Sequence, residues 1–170
     1  FLHKLSYMKT KITLTTILLL LFGTFTANIS GQNKVKYLGE VDVGYSIGVG
    51  KELAYSSFGA QTVHGVKIGD YFSTGVGVAL TRYFYVSETF VPVTLNLKGY
   101  LPFREDLTGF VYVDAGWGFG LKSDVSGFNI SSGVGVAYKI FKFQLGYSNQ
   151  RIHSTGLGHN GISLRLGFIF

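Results

Sequence analysis

The chain closes on GISLRLGFIF, residues 161–170, in which Ile162, Leu164, Leu166, Phe168 and Phe170 take one parity and Ser163, Arg165 and Gly167 the other. A period of two is the repeat of a β-strand, whose successive side chains leave opposite faces. The same repeat returns along the chain from residue 36, and no window carries a helical period. In EVDVGYSIGVG, residues 40–50, Val41, Val43, Tyr45, Ile47 and Val49 stand against Glu40, Asp42, Gly44, Ser46 and Gly48. A less regular segment spans about 58–68, and others follow at about 72–82, 91–101, 111–120, 129–138 and 141–148, so that the terminal one is the eighth. An all-β fold follows directly. The open question is which face of these strands looks inward.

The smaller face answers it. Exposed faces of soluble sheets carry Lys, Glu, Thr and Gln, which solvate the surface and discourage edge pairing. Here those positions are mostly Gly, Ser and Ala, and only 14% of the chain is charged, against about 25% in ordinary soluble domains. Such a face suits the crowded interior of a narrow cylinder, and eight strands enclose just enough room for side chains. The apolar face then meets lipid, and the fold expected is an eight-stranded antiparallel up-and-down transmembrane β-barrel. Tight connections near 69–71 and 139–140 alternate with longer ones at 50–57, 83–89, 121–127 and 149–160, while PFREDLTG, 102–109, reads as too long for a short turn. Aromatics near predicted strand ends suggest two interfacial girdles. One takes Tyr71, Phe72, Phe103, Phe110, Tyr138, Phe141 and Phe168, and the other Phe58, Tyr83, Tyr85, Phe90, Phe119 and Tyr147.

Upstream, Met8 is followed by Lys9 and Lys11 and then by an apolar run to about Phe25, the layout of a secretory signal peptide. The run is short for a spanning helix, which needs about 20 residues. Residues 8–31 are therefore expected to be the leader, residues 1–7 an upstream extension, and residues 32–170 the barrel domain. Lys4, Lys9 and Lys11 account for half of the net charge of +6. Without them no basic stripe remains, so a nucleic-acid partner is not expected. The absence of Cys excludes disulfides, a thiolate zinc site and a Cys nucleophile.

The region 36–170 resembles the small outer-membrane β-barrel proteins of the OmpA/OmpX type. The run TVHGVKIGDYFSTGVGVAL, 62–80, with VPVTLNLKGYL and FVYVDAGWGFG after it, is similar to an outer-membrane barrel family abundant in Bacteroidota. The resemblance implies residence in the cell outer membrane of a Gram-negative bacterium, as a monomer, among outer-membrane lipids and lipopolysaccharide. It also implies that the terminal strand, with Leu164, Leu166, Phe168 and Phe170 on one parity, is read by the barrel-assembly machinery. Ile169 departs from strict alternation.

Strand parity aims Glu40, Asp42, Asp114, Lys67, Lys98, Lys142 and Arg165 into the lumen. Acids and bases confined there should pair, because an isolated buried charge is costly. A side-chain-filled lumen without an open pore is the reading, with Tyr100, Tyr112 and Lys98 as its large members. In RIHSTGLGHNG, 151–161, His153, Ser154 and His159 are loop candidates for an activated nucleophile, with Asp124 and Glu88 on other loops. Some small barrels modify lipid A as deacylases or acyltransferases with such residues at the rim. The deacylase pattern separates His and Ser by one residue, and HST at 153–155 does not match it, so polar turn chemistry explains the stretch better. His64 sits on the apolar parity of the second segment, facing lipid unless a bulge near Gly65 turns it inward. No helix follows the glycine repeats, so they are not phosphate loops. No enzyme activity and no cofactor are expected. The role expected is structural or a surface interaction through loops too short for a large protein interface. An exported soluble β-barrel ligand carrier is the reading that solubility without detergent would favour.

Overall fold

The computed structural model describes residues 35–49, 56–84, 88–121, 125–151 and 158–170. The chain divides into two units, Phe1–Asn33 and Lys34–Phe170. The first, with the expected leader, lies outside the described residues. The second contains β1 (Val35–Gly48), β2 (Ser57–Ile68), β3 (Phe72–Tyr83), β4 (Thr89–Arg104), β5 (Leu107–Gly120), β6 (Ser126–Tyr138), β7 (Phe141–Arg151) and β8 (Gly158–Ile169). Each strand pairs antiparallel with its sequence neighbours, and β1 pairs with β8 to close the barrel. Strands of 11 to 16 residues reach or exceed the roughly 9–11 that cross a hydrocarbon core when tilted.

The register fixes the geometry of the cylinder. Starting at Lys36 and stepping through paired residues leads to Lys67, Ser73, Lys98, Tyr112, Gly133, Gly146, Ser163 and finally Ser46, back on β1. The stagger from Lys36 to Ser46, combined with strand rise and spacing, tilts the strands by about 40° from the axis. Closure runs to the end of β8 and beyond it: Phe170 exchanges two backbone hydrogen bonds of 2.8 Å with Gly39.

One end of the barrel, the turn end, carries tight connections. Gly69, with φ at 61°, occupies the left-handed region where glycine is at no steric disadvantage, and Lys139 opens the turn before β7 with φ at 54°. The stretch 102–109 is not a long loop. β4 continues through Arg104 and β5 begins at Leu107, leaving Glu105 and Asp106 as the turn, with a register shift between Pro102 and Arg104 absorbing the extra residue. Longer connections lie at the opposite, loop end, where residues 50–55, 85–87, 122–124 and 152–157 fall outside the described set.

Polarity is inverted relative to a soluble protein. Large apolar side chains such as Leu95 (52% exposed) and Val111 (58%) cover the outer wall, while Glu40 (0%) and Asp114 (2%) are buried inside. Three aromatics placed at the rims by sequence point inward instead: Phe110 joins the lumen residues Tyr100, Tyr112 and Ala137 in one cluster, and Tyr83 and Phe90 are buried at the loop end. Tyr83, Phe90 and Phe110 thus leave the girdles, because strand parity governs direction even close to a strand end. Ile169 also lies on the inward parity, opposite Glu40, and packs on the Tyr100 cluster. Phe58, Phe72, Phe103, Phe119, Phe141, Phe168, Tyr71, Tyr138 and Tyr147 are exposed on the outside.

Candidate functional site

The lumen is layered along the barrel axis. At the turn end Tyr100, Phe110, Tyr112 and Ala137 form an apolar layer against Ile169. Small inward residues on neighbouring strands make room for the rings: a β-carbon at Gly135 would strike the Phe110 ring, and one at Gly146 would strike the Tyr112 hydroxyl. At the loop end Tyr83 meets Phe90 edge to face, with centroids 5.7 Å apart, and meets the His159 ring at 5.2 Å.

Between these layers lie two ionic groups. Glu40 Oε2 accepts from both Lys98 Nζ and Lys142 Nζ, and Lys142 Nζ also lies 2.9 Å from Asp42 Oδ2. Gln144 Nε2 donates to Asp42 Oδ1 at 3.3 Å. In the second group Arg165 Nη1 donates to Asp114 Oδ2 at 2.8 Å and to Gln61 Oε1 at 2.9 Å, and its Nη2 donates to Ser131 Oγ at 2.9 Å. Asn96 Nδ2 donates to the other Asp114 oxygen. The guanidinium carbon stands 5.5 Å from the Tyr112 centroid, so one cation touches both the ionic and the aromatic layers. This is the pairing that charge burial demands: each carboxylate has a cation, and several lone pairs are met by amides and hydroxyls.

Lys67 stands apart from this network. It points inward near the turn end, half-buried, with its ammonium 4.6 Å from the Tyr100 centroid, and among the described residues it makes no ion pair. An aromatic face replaces the carboxylate that parity suggested, at the barrel mouth where water still reaches the cation. Above the ionic groups, toward the loop end, is a polar cavity of about 80 Å³ lined in part by Asp42, Asp114, Arg165, Ser57, Thr94 and Ser163. That volume and its polar walls suit a few water molecules.

His159 is not a loop residue. It belongs to β8, opposite Gln150, and is buried in the lumen against Tyr83. His153 and Ser154, with Thr155 and Asp124, lie outside the described residues. Among the described residues no three of His, Asp and Glu converge as a metal would require.

His64 faces outward. The β1–β2 register runs without a bulge, setting His64 opposite Gly39 on the same side as Tyr37 and Thr62. Its ring nitrogens are both engaged, Nδ1 with the Tyr37 hydroxyl at 2.5 Å and Nε2 with Thr62 Oγ1 at 3.0 Å. The Phe170 ring stands edge-on to it at 6.5 Å and covers Gly39, where a β-carbon would come within 2.5 Å of that ring. Sequence reasoning did not find this outer cluster, although Tyr37 and Thr62 share the parity of His64 across adjacent strands.

No known protein family matches the chain, and no curated protein matches it in sequence. Among solved structures the barrel is similar to neisserial surface protein A, with a TM-score of 0.55 at 13% identity over 79% of this chain and 96% of that one. The N-terminal β-barrel domain of Pseudomonas aeruginosa OprF gives a TM-score of 0.49 at 15% identity, over 78% of this chain and 97% of that one. Ail of Yersinia pestis in a bilayer nanodisc gives 0.43 at 16% identity, over 79% of this chain and all 100% of that one. The fold is that of the small outer-membrane β-barrels.

Proposed function

We propose that the protein is a monomeric integral barrel of a Gram-negative outer membrane, with a side-chain-filled lumen, serving a non-catalytic role in envelope structure or in surface contact through its loop end. The observation that carries this reading is the inverted polarity: a fully buried Glu40 holding two lysines inside, and a continuous apolar wall outside. A water-soluble barrel with this surface would associate through it. In a bilayer the same wall is in its preferred solvent, and every strand's backbone groups are satisfied by closure.

Aromatic layers at both ends and paired charges between them support a lumen closed to solutes. Lipopolysaccharide at the loop end and phospholipid at the turn end are the neighbours this placement implies. The terminal strand, with Leu164, Leu166, Phe168 and Phe170 outward, is proposed to serve as the recognition signal for barrel assembly. His159, buried against Tyr83 at the loop end of the lumen rather than exposed on the rim, weighs against lipid A chemistry.

The test is expression of the leader-bearing chain in a Gram-negative host, followed by membrane fractionation and a gel of unboiled against boiled sample. Recovery in the outer membrane with heat-shifted migration and no stepwise conductance in planar bilayers is the expected result. Recovery as a detergent-free soluble protein would overturn the membrane reading, and open-channel steps would overturn the filled lumen. Deleting Phe170 is expected to lower outer-membrane yield while leaving refolding into detergent intact.

A further inference from the structure

The apolar outer wall is not uniform. Two successive outward rows cross β4 to β7, one of Gly99, Val111, Val134 and Leu145, the next of Leu101, Gly109, Val136 and Phe143. Each contains a glycine, and the wall there opens as a groove of about 660 Å³ toward the turn end. The Phe103 ring lies over Gly109 and flanks the groove, whereas Gly99 is left open.

Past these rows the surface becomes charged. The register shift between Pro102 and Arg104 sets Arg104 opposite Leu107, in line with Tyr138 in the next outward row. Lys139 follows, its ammonium 5.6 Å from the Tyr138 centroid and its backbone N–H donating to Asp106 O at 3.0 Å. Beyond the groove, at the turn end, stand two cations, Arg104 and Lys139, with two carboxylates, Glu105 and Asp106, all exposed.

We propose that this groove binds one membrane phospholipid with a zwitterionic, amine-bearing headgroup. Its acyl chain lies along the glycine-lowered wall, Arg104 and Lys139 hold the phosphate, and Glu105 and Asp106 meet the ammonium. The volume falls within the roughly 300–1,000 Å³ of specific small-molecule sites. Balanced charge beyond the groove selects the headgroup, because a lipid of net negative charge would meet both carboxylates without offering them a cation. Short turns mark the periplasmic side, whose leaflet is phospholipid, so lipopolysaccharide is the wrong occupant.

The inference rests on the membrane placement proposed above, and the experiment separates the two. The barrel is purified from outer membranes in mild detergent, co-purifying lipid is quantified by native mass spectrometry, and delipidated barrel is then offered vesicles of phosphatidylethanolamine or phosphatidylglycerol. About one phosphatidylethanolamine per barrel is expected for the wild type. Gly99→Leu fills the groove, and only Val111 Cγ2, at 3.4 Å, lies within reach of the added β-carbon, so the wall accommodates it. Displacing two acyl methylenes lowers retention about tenfold. Arg104→Glu with Lys139→Glu is expected to abolish the headgroup preference, and Ala115→Leu, outward but outside both rows, to retain the lipid.

Equal retention in wild type and Gly99→Leu, equal binding from the two vesicle types, or recovery of lipopolysaccharide instead would each overturn the lipid site while leaving a heat-shifted, membrane-inserted barrel in place. A wild type without a heat-shifted form would overturn the membrane reading and the lipid site with it.

Discussion

The two faces of each strand are built to opposite rules. Outward positions are large, apolar and interchangeable in kind, as along Val91, Val93, Leu95 and Leu97 of β4, and their job is to match a solvent. Inward positions of the same strand, Asn96, Lys98 and Tyr100, are individually matched to partners on other strands, with Lys98 reaching Glu40, Asn96 reaching Asp114 and Tyr100 reaching Ser73, while Thr94 lines the polar cavity. The outer face tolerates exchange within a class, while the inner face tolerates little at its paired charges, because each buried cation there satisfies a carboxylate that has few alternatives.

That contrast is tested most sharply at Glu40. Replacing it by Ala leaves Lys98 and Lys142 buried without their shared acceptor, a loss of about 3–5 kcal/mol. Urea unfolding of the folded barrel in lipid vesicles, followed by tryptophan emission from Trp117, measures it. The companion variant, with Glu40, Lys98 and Lys142 all changed to Met, is expected to recover most of that loss, since a well-packed apolar core removes the desolvation penalty along with the attraction. If it does not recover, the lumen depends on ions for specificity as well as for charge balance.

The outer face is tested at Leu95, midway along the apolar row of β4. Leu95→Arg is expected to cost about 2–4 kcal/mol in vesicles, whereas Leu95→Ile changes little. A near-neutral Arg there would erase the distinction between the faces and argue for water outside. Smaller still is the outward polar cluster: His64→Ala takes a partner from the hydroxyls of Tyr37 and Thr62, the second of which keeps its bond to Glu40 O at 3.1 Å, and is expected to cost about 0.5–1.5 kcal/mol by the same unfolding assay. Gly39→Val tests the neighbouring seat, since its side chain would dislodge the Phe170 ring and disturb the β1–β8 closure. A loss of about 1–3 kcal/mol is expected from that overpacking.

Parity along the strands was enough to send Glu40, Asp42, Lys98, Asp114, Lys142 and Arg165 to one face, because side-chain direction is a local property of extended backbone. The same parity also gives the correct direction for Tyr83, Phe90, Phe110 and Ile169, whereas proximity to a predicted strand end points the three aromatics to the rims. The two-residue turn at Glu105 and Asp106 was hidden by a bulge, which breaks the alternation used to find strand ends. Local sequence could not supply who pairs with whom. Asp114 meets Arg165 and Glu40 meets Lys142 only because closure and stagger bring β5 and β1 alongside the reach of β8 and β7. His64 lacked a direction in sequence because a bulge and a continuous ladder were equally consistent with its neighbours, and only the β1–β2 register put it outside with Tyr37.

By itself the sequence determined the class of this protein: repeated period-two segments with a small inner face leave lipid as the solvent for the apolar one. The tertiary structure decided the rest, namely which charges pair, why Lys67 rests on a ring, and where the open Gly99 lowers the wall beside the Phe103 ring. The physical reason is distance along the chain. Alternation acts between adjacent residues, whereas the lumen network and the groove are set by the stagger of a closed sheet, which joins residues that no local pattern connects.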